Sequence, residues 1–333
     1  MNTTAAVIDS YDAVLFDLDG VIYLGPIAVP GAAEGIAELH DRGTKIGFVT
    51  NNAARPPVAV ADHLVELGIP ATAADVVTSA QAAAHLLINR FGAGARILAV
   101  GGEGVTVALS EAGLVPVHSA DDHPVAVIQG YGFDLKWQEL NEAAIAIHNG
   151  AHWVATNIDP TRPTERGLVP GNGAAVAAVQ MAVESQPEVA GKPYRPLLDD
   201  TVDRLGADHP LFVGDRLDTD VAGAVNAGLD SMLVLSGSYR AEQLISAIPG
   251  ERPTFVGDDL RALLQPPLAL SQSDSEFHCG AATASAANGK LMIQSSGSTE
   301  LETIWAAAHA AWWAADHGLV IDVRDALEQL PYY

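Results

Sequence analysis

The chain has a single cysteine and few basic residues. The first shortage excludes an internally disulfide-bonded protein, and the second argues against a nucleic-acid-binding protein. Cys279 is the lone cysteine among 333 residues, so no disulfide can form within the chain. Seventeen lysines and arginines stand against 41 aspartates and glutamates, which gives a net charge of −24. Proteins that bind nucleic acid carry a basic footprint, so we expect no nucleic-acid partner. A phosphate site in so acidic a chain must use local cations and backbone N–H groups.

Long apolar runs are scarce as well, which bears on membrane insertion. The stretch 167–183 carries no charge, but it contains Pro170, Asn172 and Gln180 and is rich in alanine and glycine, so it makes a poor membrane span. Residues 1–4 offer no basic region followed by an apolar run, and we therefore predict no signal peptide. Together with the lone cysteine, these features favour a cytoplasmic protein without a membrane span.

What the sequence does contain is a steady alternation of strand and helix patterns. Hydrophobic residues make up 49% of the chain, enough for a large core and about two or three domains. From residue 14 to residue 264, strands such as 45–50 and 96–100 alternate with helices such as 79–91. This alternation predicts an α/β fold built on a doubly wound parallel sheet.

The composition changes after residue 266. Residues 271–276 are polar and are interpreted as a linker. Short strands are predicted at three places: 279–285, 290–294 and 320–323. A helix over 299–315 begins with a capping box formed by Thr299 and Glu302. An apolar stripe follows along this helix: Trp305, Ala308 and Trp312. We predict a small C-terminal α+β module whose tryptophans lie in a core or at an intramolecular interface rather than in a ligand site.

The strongest chemical signal is a pair of carboxylates where a buried strand ends. Asp17 and Asp19 follow the apolar residues 14–16, and two like charges placed together there repel unless a cation or a shifted pKa compensates. In an open α/β sheet the carboxyl ends of the strands form the ligand crevice, which indicates a function. The alternative is a solvated Asp-x-Asp-Gly turn, which Gly20 would suit.

Polar residues follow other strands in the same way. Thr50, Asn51 and Asn52 come at the end of the strand 45–50, where hydroxyl, amide and N–H groups suit an oxyanion. An ordinary helix N-cap is the simpler explanation of this triplet taken alone. The glycine-rich run 101–104 lacks the full dinucleotide fingerprint and is interpreted as a tight turn.

A lysine and three aspartates complete the set of candidate site residues. Lys192 lies in a loop, where a solitary lysine is normally solvated. Asp215 follows the apolar strand 210–214, and Asp218 and Asp220 begin the next helix. Acidic capping of a helix N-terminus explains Asp218 but does not explain Asp215.

These residues meet at one edge if their strands are neighbours in one parallel sheet, and their types then describe a reaction. Three carboxylates and a backbone carbonyl form a hard oxygen site suited to Mg²⁺. The carboxylates are those of Asp17, Asp215 and Asp220. Asp17 can attack phosphorus to give an aspartyl phosphate, and Asp19 can protonate the leaving alcohol and then activate water. Three groups would hold the equatorial phosphate oxygens: Thr50, the Asn51 N–H and Lys192.

Four stretches taken in order resemble the signature motifs of the haloacid dehalogenase superfamily: 17–23, 50–52, 191–193 and 214–220. More narrowly, they resemble its 4-nitrophenylphosphatase and phosphoglycolate phosphatase subfamily. With the extra C-terminal module, the sequence is most similar to the bacterial glycerol 3-phosphate phosphatases of that subfamily. The resemblance covers about residues 10–267, with the order and spacing of the motifs intact.

This resemblance implies a domain organisation and roles for particular residues. The catalytic core would comprise 1–83 and 188–267, an α/β cap would comprise 84–187, and the C-terminal module would comprise 268–333. The magnesium ligands would be Asp17, the main-chain carbonyl of Asp19, and Asp215, with Asp220 supporting them. The cap loop 157–173 would select the substrate through four residues: Asn157, Asp159, Pro160 and Arg162. Asn52 belongs with Thr50 and Asn51 in the phosphate-binding motif.

The substrate is then a small phosphate ester, most simply glycerol 3-phosphate. Alternatives are 2-phosphoglycolate, pyridoxal 5'-phosphate or a nucleotide, because members of the subfamily share one core and differ in their cap loops. An alternative of another class is a non-catalytic phosphate sensor or scaffold. The sequence leaves the oligomeric state open, and a homo-oligomer is one possibility. His148 and His152 have the i, i+4 spacing of a zinc pair, but they are interpreted as surface histidines because the helix should end near Gly150.

Overall fold

The structure is a computed structural model that describes residues 5–162, 164 and 166–330. Residues 1–4, on which the absence of a signal peptide was predicted, lie outside the described residues. Two residues of the predicted cap loop and the last three of the predicted C-terminal module do so too. Within the described residues, no helix combines the length and apolar character needed to cross a bilayer.

The strands of the described chain are short, and most are fully or largely buried. They are β1 (Ala13–Asp17), β2 (Tyr23–Leu24), β3 (Ile27–Ala28), β4 (Lys45–Thr50), β5 (Val76–Thr78), β6 (Arg96–Val100), β7 (Val115–Val117), β8 (Ala126–Gln129), β9 (His152–Ala155), β10 (Thr161–Arg162), β11 (Val169–Pro170), β12 (Glu188–Val189), β13 (Pro210–Gly214), β14 (Asp230–Val234), β15 (Phe255–Gly257), β16 (Leu270–Ser273), β17 (Glu276–Cys279), β18 (Ala282–Ala287) and β19 (Lys290–Ser295).

Some of the α-helices begin or end at residues that favour such boundaries. The α-helices are α1 (Ala32–Asp41), α2 (Pro57–Glu66), α3 (Ser79–Phe91), α4 (Glu103–Glu111), α5 (Trp137–His148), α6 (Asn172–Gln180), α7 (Pro196–Leu205), α8 (Ala222–Ala227), α9 (Ala241–Ile245), α10 (Glu300–Asp316) and α11 (Arg324–Leu327). Helix α3 begins after Thr78, whose hydroxyl accepts the Gln81 N–H, and α8 ends at Gly228, which has a φ of 76°.

The described chain forms two compact units. The first comprises the described residues within 1–45 and 208–333, and the second comprises those within 46–207. The first unit contains four parallel strands in the order β15-β14-β13-β1. All five residues of β1 and of β13 are buried, as expected for strands covered on both faces. This arrangement places the C-terminal ends of β1 and β13 side by side. Asp17 is the last residue of β1, and Asp215 is the first residue after β13.

The second unit contains a parallel sheet of its own, in the order β12-β9-β8-β6-β7. Strands β4 and β5 form a further parallel pair, and β10 and β11 form a short antiparallel hairpin. The predicted class, parallel α/β with an added α+β module, is confirmed. The domain bounds at residues 83, 187 and 267 stay a prediction.

The C-terminal segment differs from its predicted layout in three places. The polar linker predicted at 271–276 is wrong, because β16 and the start of β17 occupy it as the first hairpin of an antiparallel sheet. The predicted strand 279–285 instead contains the turn between β17 and β18. The predicted strand 320–323 is reduced to one bridge between Asp322 and Lys290.

A single buried cluster joins this segment to the parallel strands of the first unit. Leu233 of β14 and Leu244 of α9 belong to the same cluster as Phe277 of β17 and Trp305 and Trp312 of α10. Both tryptophans are 5% exposed, so their predicted place in a core is confirmed. The C-terminal module therefore shares its hydrophobic core with α9 and with β14, the strand that pairs with β13.

His309 sits among the aromatic rings of this cluster and predicts a pH dependence of stability. Its ring lies 4.4 Å from that of Trp305 and 4.7 Å from that of Trp312, measured between centroids. Burial, and then the charge of Arg252, lowers the pKa of His309 from 6.5 to about 4. The unfolded chain therefore takes up a proton between these values that the folded protein does not, and the free energy of unfolding falls as pH drops from 6.5 toward 4.

We expect His309→Phe, which keeps an aromatic ring, to remove this contribution. Melting temperatures measured from pH 7.5 to pH 4.5 should fall less steeply for the variant than for the wild type. Acid titration of carboxylates affects both proteins, so the difference in slope is the informative quantity. Equal slopes would show that His309 does not titrate differently on unfolding.

Candidate active site

Three buried carboxylates meet at the ends of neighbouring strands in the first unit. Asp17 ends β1, Asp215 directly follows β13, and Asp220 lies in the short π-helical segment Leu217–Val221 before α8. One carboxylate oxygen from each lies within 4.8 Å of the others, and the three residues are 9%, 0% and 1% exposed. Because β1 and β13 are parallel neighbours, their C-terminal ends coincide. The structure thus brings together the three aspartates that the sequence predicted as a metal site.

The donor set in this cluster fits magnesium. Buried like charges are destabilising unless a cation or protons compensate, and three carboxylates are the hard oxygen ligands that Mg²⁺ prefers. Asp220 is further constrained, since its Oδ2 accepts the backbone N–H groups of Asp215 and Arg216, both at 3.1 Å. Asp220 therefore orients the backbone of Asp215. This contact agrees with the prediction that Asp220 supports the metal ligands rather than leading them.

Asp19 lies in a tight turn that begins where β1 ends. The Gly20 N–H donates to the Tyr23 carbonyl at 2.8 Å, and the Ile22 N–H donates to the Leu18 carbonyl at 2.9 Å. Gly20 has a φ of 91°, and a Cβ atom built there would overlap the carboxylate of Asp215. The Asp19 side chain is exposed, unlike that of Asp17. The turn therefore separates a buried carboxylate from an accessible one only two residues away.

Asp218 has a different environment from its neighbours. Its carboxylate forms a two-point ion pair with the Arg216 guanidinium, at 2.8 and 3.0 Å. Burial, and then Asp218, raises the pKa of the nearby Tyr239 to about 12. The sequence predicted that Asp218 caps the N-terminus of a helix. In the structure its carboxylate instead forms an ion pair with Arg216.

A second group of polar residues is assembled within the second unit around Asn51. The Asn51 side chain binds Lys192 twice: its Oδ1 accepts the Lys192 N–H at 2.8 Å, and its Nδ2 donates to the Lys192 carbonyl at 3.0 Å. Lys192 is 2% exposed, so the solvated loop lysine of the simpler interpretation is wrong. We call this pair of hydrogen bonds the Asn51 clasp. The clasp fixes the backbone from which the lysine side chain extends.

Thr50 and Asn52 flank the clasp and differ in what they can offer a ligand. Thr50 is 4% exposed and its hydroxyl oxygen accepts the Asn52 N–H at 3.0 Å, which leaves the hydroxyl proton to be donated elsewhere. The Asn52 side-chain oxygen accepts the Ala54 N–H at 2.9 Å. Asn52 therefore acts locally as a turn-forming residue.

Two of the predicted substrate-selecting residues are bound to the clasp. The Asn157 Nδ2 donates to the Asn51 carbonyl at 2.7 Å, and the Asp159 Oδ2 accepts from Asn51 Nδ2 at 3.2 Å. Sequence reasoning missed Asn172, which is 2% exposed and donates to the Asn157 carbonyl at 2.7 Å. It begins α6 at the end of the long polar loop, where the only available signal was an asparagine between two glycines.

Arg162 is held by aromatic rings elsewhere in the second unit. Its guanidinium carbon lies 5.0 Å from the ring centroid of Tyr131 and 5.3 Å from that of Phe133, in cation–π geometry. Pro160 is exposed in the same loop. The structure thus connects Asn157 and Asp159 to Asn51 and gives Arg162 a separate aromatic support.

The two histidines with zinc-like spacing have separate partners. His148 contacts the carbonyl of Ala182 at 2.8 Å, and His152 contacts Glu188 at 2.9 Å. Their interpretation as ordinary histidines agrees with these contacts.

The glycine-rich run 101–104 lies at the start of α4, where the chain turns from β6 into the helix. This position agrees with its interpretation as a tight turn.

Comparison with known proteins gives concordant results for sequence and structure. A family model described as haloacid dehalogenase-like hydrolase matches residues 14–115, and a second, HAD-hydrolase-like, matches 189–263. A D-glycerol 3-phosphate phosphatase of Mycobacterium tuberculosis is 48% identical over 260 residues, which is 78% of this chain and 73% of that protein.

Two solved structures add to this result. The crystal structure of the glycerol phosphate phosphatase of Mycobacterium tuberculosis in complex with magnesium has a TM-score of 0.88 at 40% identity, covering 99% of this chain and 100% of that one. A 4-nitrophenylphosphatase of Thermotoga maritima has a TM-score of 0.72 at 30% identity, covering 78% of this chain and 98% of its own.

Proposed function

The chain belongs to the haloacid dehalogenase-like hydrolases, and we propose that within this family it is a magnesium-dependent phosphomonoesterase acting on glycerol 3-phosphate. The family resemblance recognised in the motifs is therefore confirmed. The observation that carries the proposal is the cluster of Asp17, Asp215 and Asp220, whose carboxylate oxygens lie within 4.8 Å of one another. Such a cluster, beside an exposed acid at Asp19, supplies the groups for a two-step phosphoryl transfer.

Asp17 is the proposed nucleophile. Its carboxylate attacks phosphorus, the bond from phosphorus to the ester oxygen breaks, and an aspartyl phosphate forms. Water then attacks the same phosphorus, which releases inorganic phosphate and restores the carboxylate. The place of Asp17 at the end of a fully buried strand supports this part, because a rigid element holds the attacking oxygen in one position.

Asp19 is the proposed acid and base. It would donate a proton to the leaving alkoxide in the first step and remove a proton from the attacking water in the second. An exposed carboxylate on the turn after β1 can exchange protons with solvent between these steps. A glycerol alkoxide is a poor leaving group, so its departure requires this proton.

Magnesium would be held by Asp17, the Asp19 carbonyl and Asp215, with Asp220 fixing the backbone of Asp215. When bound, the ion supplies positive charge that offsets the carboxylates and draws electron density from the phosphoryl group. The crystal structure of the glycerol phosphate phosphatase complexed with magnesium supports this choice of ion.

The residues around the Asn51 clasp are proposed to bind the phosphoryl group. Three groups would donate to its oxygens, in the manner predicted from the sequence: the Thr50 hydroxyl, the Asn51 N–H and the Lys192 ammonium. Asn52 would contribute by shaping the turn. Because the clasp fixes the backbone that carries Asn51 and Lys192 before the substrate arrives, less reorganisation is needed as charge develops in the transition state.

The choice of glycerol 3-phosphate rests on the loop 157–173 and on the relative that is 48% identical. Within that loop, four residues are proposed to face the alcohol part of the substrate: Asn157, Asp159, Pro160 and Arg162. Cation–π contacts hold the Arg162 guanidinium in one orientation, as a residue that selects a substrate must be held. A cytoplasmic location and a homo-oligomeric state also stay predictions.

Phosphate release from a panel of esters with Mg²⁺ tests the proposal. The panel contains glycerol 3-phosphate, 2-phosphoglycolate, pyridoxal 5'-phosphate, AMP and 4-nitrophenyl phosphate. We expect glycerol 3-phosphate to have the highest kcat/KM, and we expect addition of EDTA to abolish turnover. A higher kcat/KM for another ester would identify that ester as the preferred substrate, and the proposed reaction mechanism would be unaffected. Phosphate binding without turnover of any ester, in folded protein with Mg²⁺, would favour the sensor hypothesis.

A further inference from the structure

A loop that the motifs do not include makes close contacts with Asp215. Residues 235–240, which we call the β14–α9 loop, join β14 to α9 in the first unit. The Ser238 N–H donates to Asp215 Oδ2 at 2.6 Å, and a Cβ atom built on Gly237 would overlap the Asp215 carboxylate. The Ser236 hydroxyl donates to the Gly20 carbonyl at 2.8 Å, in the turn that carries Asp19. The loop therefore confines both Asp215 and the turn after β1.

Arg240 ties this loop to the helix that follows it. Its guanidinium donates to the carbonyl of Gly237, and its backbone N–H donates to Gln243 Oε1 at 2.8 Å, which caps α9. Arg240 binds both the helix and the Gly237 carbonyl, so a shift of α9 would also move Gly237. The loop and α9 are therefore coupled.

The C-terminal module in turn holds α9. The indole N–H of Trp312, on α10, donates to the Leu244 carbonyl at 2.9 Å in a buried hydrogen bond. Arg252 lies over the Trp312 ring at 5.4 Å and pairs with Asp316 at 2.7 Å. Leu244 and Ile245 are 0% and 2% exposed within the shared core. Contacts therefore run without a gap from α10, through α9 and the β14–α9 loop, to Asp215.

We propose that the β14–α9 loop is a positioning element for the metal-binding carboxylate Asp215, and that the C-terminal module holds this element in place through Trp312. The proposal rests on the proposed function, since it takes Asp215 as a magnesium ligand. It gives the module a part in metal binding without any contact between its own residues and the ligand.

The physical reason is that partners of a ligating carboxylate fix its orientation before the metal arrives. When such partners are removed, metal affinity typically falls by about 10- to 100-fold. The backbone N–H of Ser238 and the lack of a side chain at Gly237 are two such constraints on Asp215. A methyl group at position 237 would overlap the Asp215 carboxylate, so we expect the carboxylate to leave its position.

Gly237→Ala tests the loop, with Gly250→Ala as the matched control. A Cβ atom at Gly250 meets no atom within 4 Å, and neither glycine has a positive φ, so the two substitutions differ only in what the methyl group contacts. Magnesium affinity is measured by isothermal titration and by the rise in melting temperature on adding Mg²⁺. We expect the Kd for Mg²⁺ to increase about 10-fold or more in Gly237→Ala and to stay unchanged in the control.

Trp312→Phe tests the C-terminal module, with Trp313→Phe as its control. Phenylalanine keeps a packed ring at position 312 but lacks the N–H that binds the Leu244 carbonyl, whereas Trp313 stacks on His317 at 4.2 Å. We expect the Kd for Mg²⁺ to rise about threefold in Trp312→Phe alone, in proportion to one lost hydrogen bond. A lower melting temperature with unchanged magnesium affinity would overturn the proposed part of the module.

The outcomes separate this inference from the proposed function. If the wild type binds no Mg²⁺, the proposed function itself fails. If the wild type binds Mg²⁺ and Gly237→Ala binds it equally well, the positioning inference is wrong and the function stands. Should Gly237→Ala not fold, Ser236→Ala removes only the hydroxyl that donates to Gly20. Unchanged magnesium affinity in that variant and in Trp312→Phe would also overturn the inference.

Discussion

Asp17→Asn is expected to lower kcat for glycerol 3-phosphate by about 10⁴-fold or more. An amide has nearly the shape of the carboxylate but cannot form the aspartyl phosphate, so the reaction loses its covalent step. The measurement is phosphate release at saturating substrate and Mg²⁺, with near-ultraviolet circular dichroism to establish that the variant is folded. The substitution removes one of three clustered negative charges, so we expect the melting temperature without metal to be unchanged or higher.

Two further variants make this result specific. Asp41→Asn has the same change of charge at the exposed end of α1 and should be fully active. Asp19→Asn should lose far more activity with glycerol 3-phosphate than with 4-nitrophenyl phosphate, because 4-nitrophenolate leaves without a proton. Substantial turnover by Asp17→Asn would remove the nucleophile assignment. Equal losses for the two substrates would remove Asp19 as the general acid.

Ending the chain after residue 267 is expected to prevent the first unit from folding. Four large side chains of the shared core are lost: Phe277, Ile304, Trp305 and Trp312. Each contributes about 1.5–3 kcal/mol by burial, and their partners Leu244 and Leu233 would become exposed to water. This loss is comparable to the whole stability of an ordinary domain, about 5–15 kcal/mol.

Soluble yield, size-exclusion profile and thermal unfolding of residues 1–267 test this expectation. The Thermotoga 4-nitrophenylphosphatase aligns over 98% of its length with 78% of this chain, so a related phosphatase builds its fold from fewer residues. The expected failure is therefore a property of this chain's own apolar surface on α9 and β14. A truncated protein that unfolds cooperatively near the wild-type temperature would show that the module is dispensable for folding.

Much of the fold was predictable because the α/β region repeats simple signals. Helix α3 was predicted with its bounds, since Thr78 and Gln81 cap it and Gly92 ends it. The antiparallel sheet was predicted poorly because β16 is a polar strand whose three last residues are exposed. A strand of this kind gives no alternation of apolar and polar residues, and only pairing with β17 reveals it.

Some contacts of the candidate site were predictable from the sequence, and others were not. Asp17 and Asp215 were predictable as neighbours because each follows an apolar strand, and parallel strands end at the same edge. The Asn51 clasp was not predictable, because a side chain that binds a backbone 141 residues away leaves no local signal. Ser236 and Gly237 look like an ordinary turn in the sequence, and their relation to Asp215 appears only in three dimensions.

The span of the Asn51 clasp also constrains how an active molecule is made. Its two residues are separated by 141 positions, and closing so long a loop is costly until the chain between them is compact. We therefore expect the chain between them, which contains the sheet β12-β9-β8-β6-β7, to become compact before Lys192 is fixed. During synthesis, Asp17 and Asp19 leave the ribosome well before this lysine exists. A nascent chain consequently carries the proposed nucleophile early and the proposed phosphate-binding lysine late, and the clustered aspartates Asp215 and Asp220 come later still.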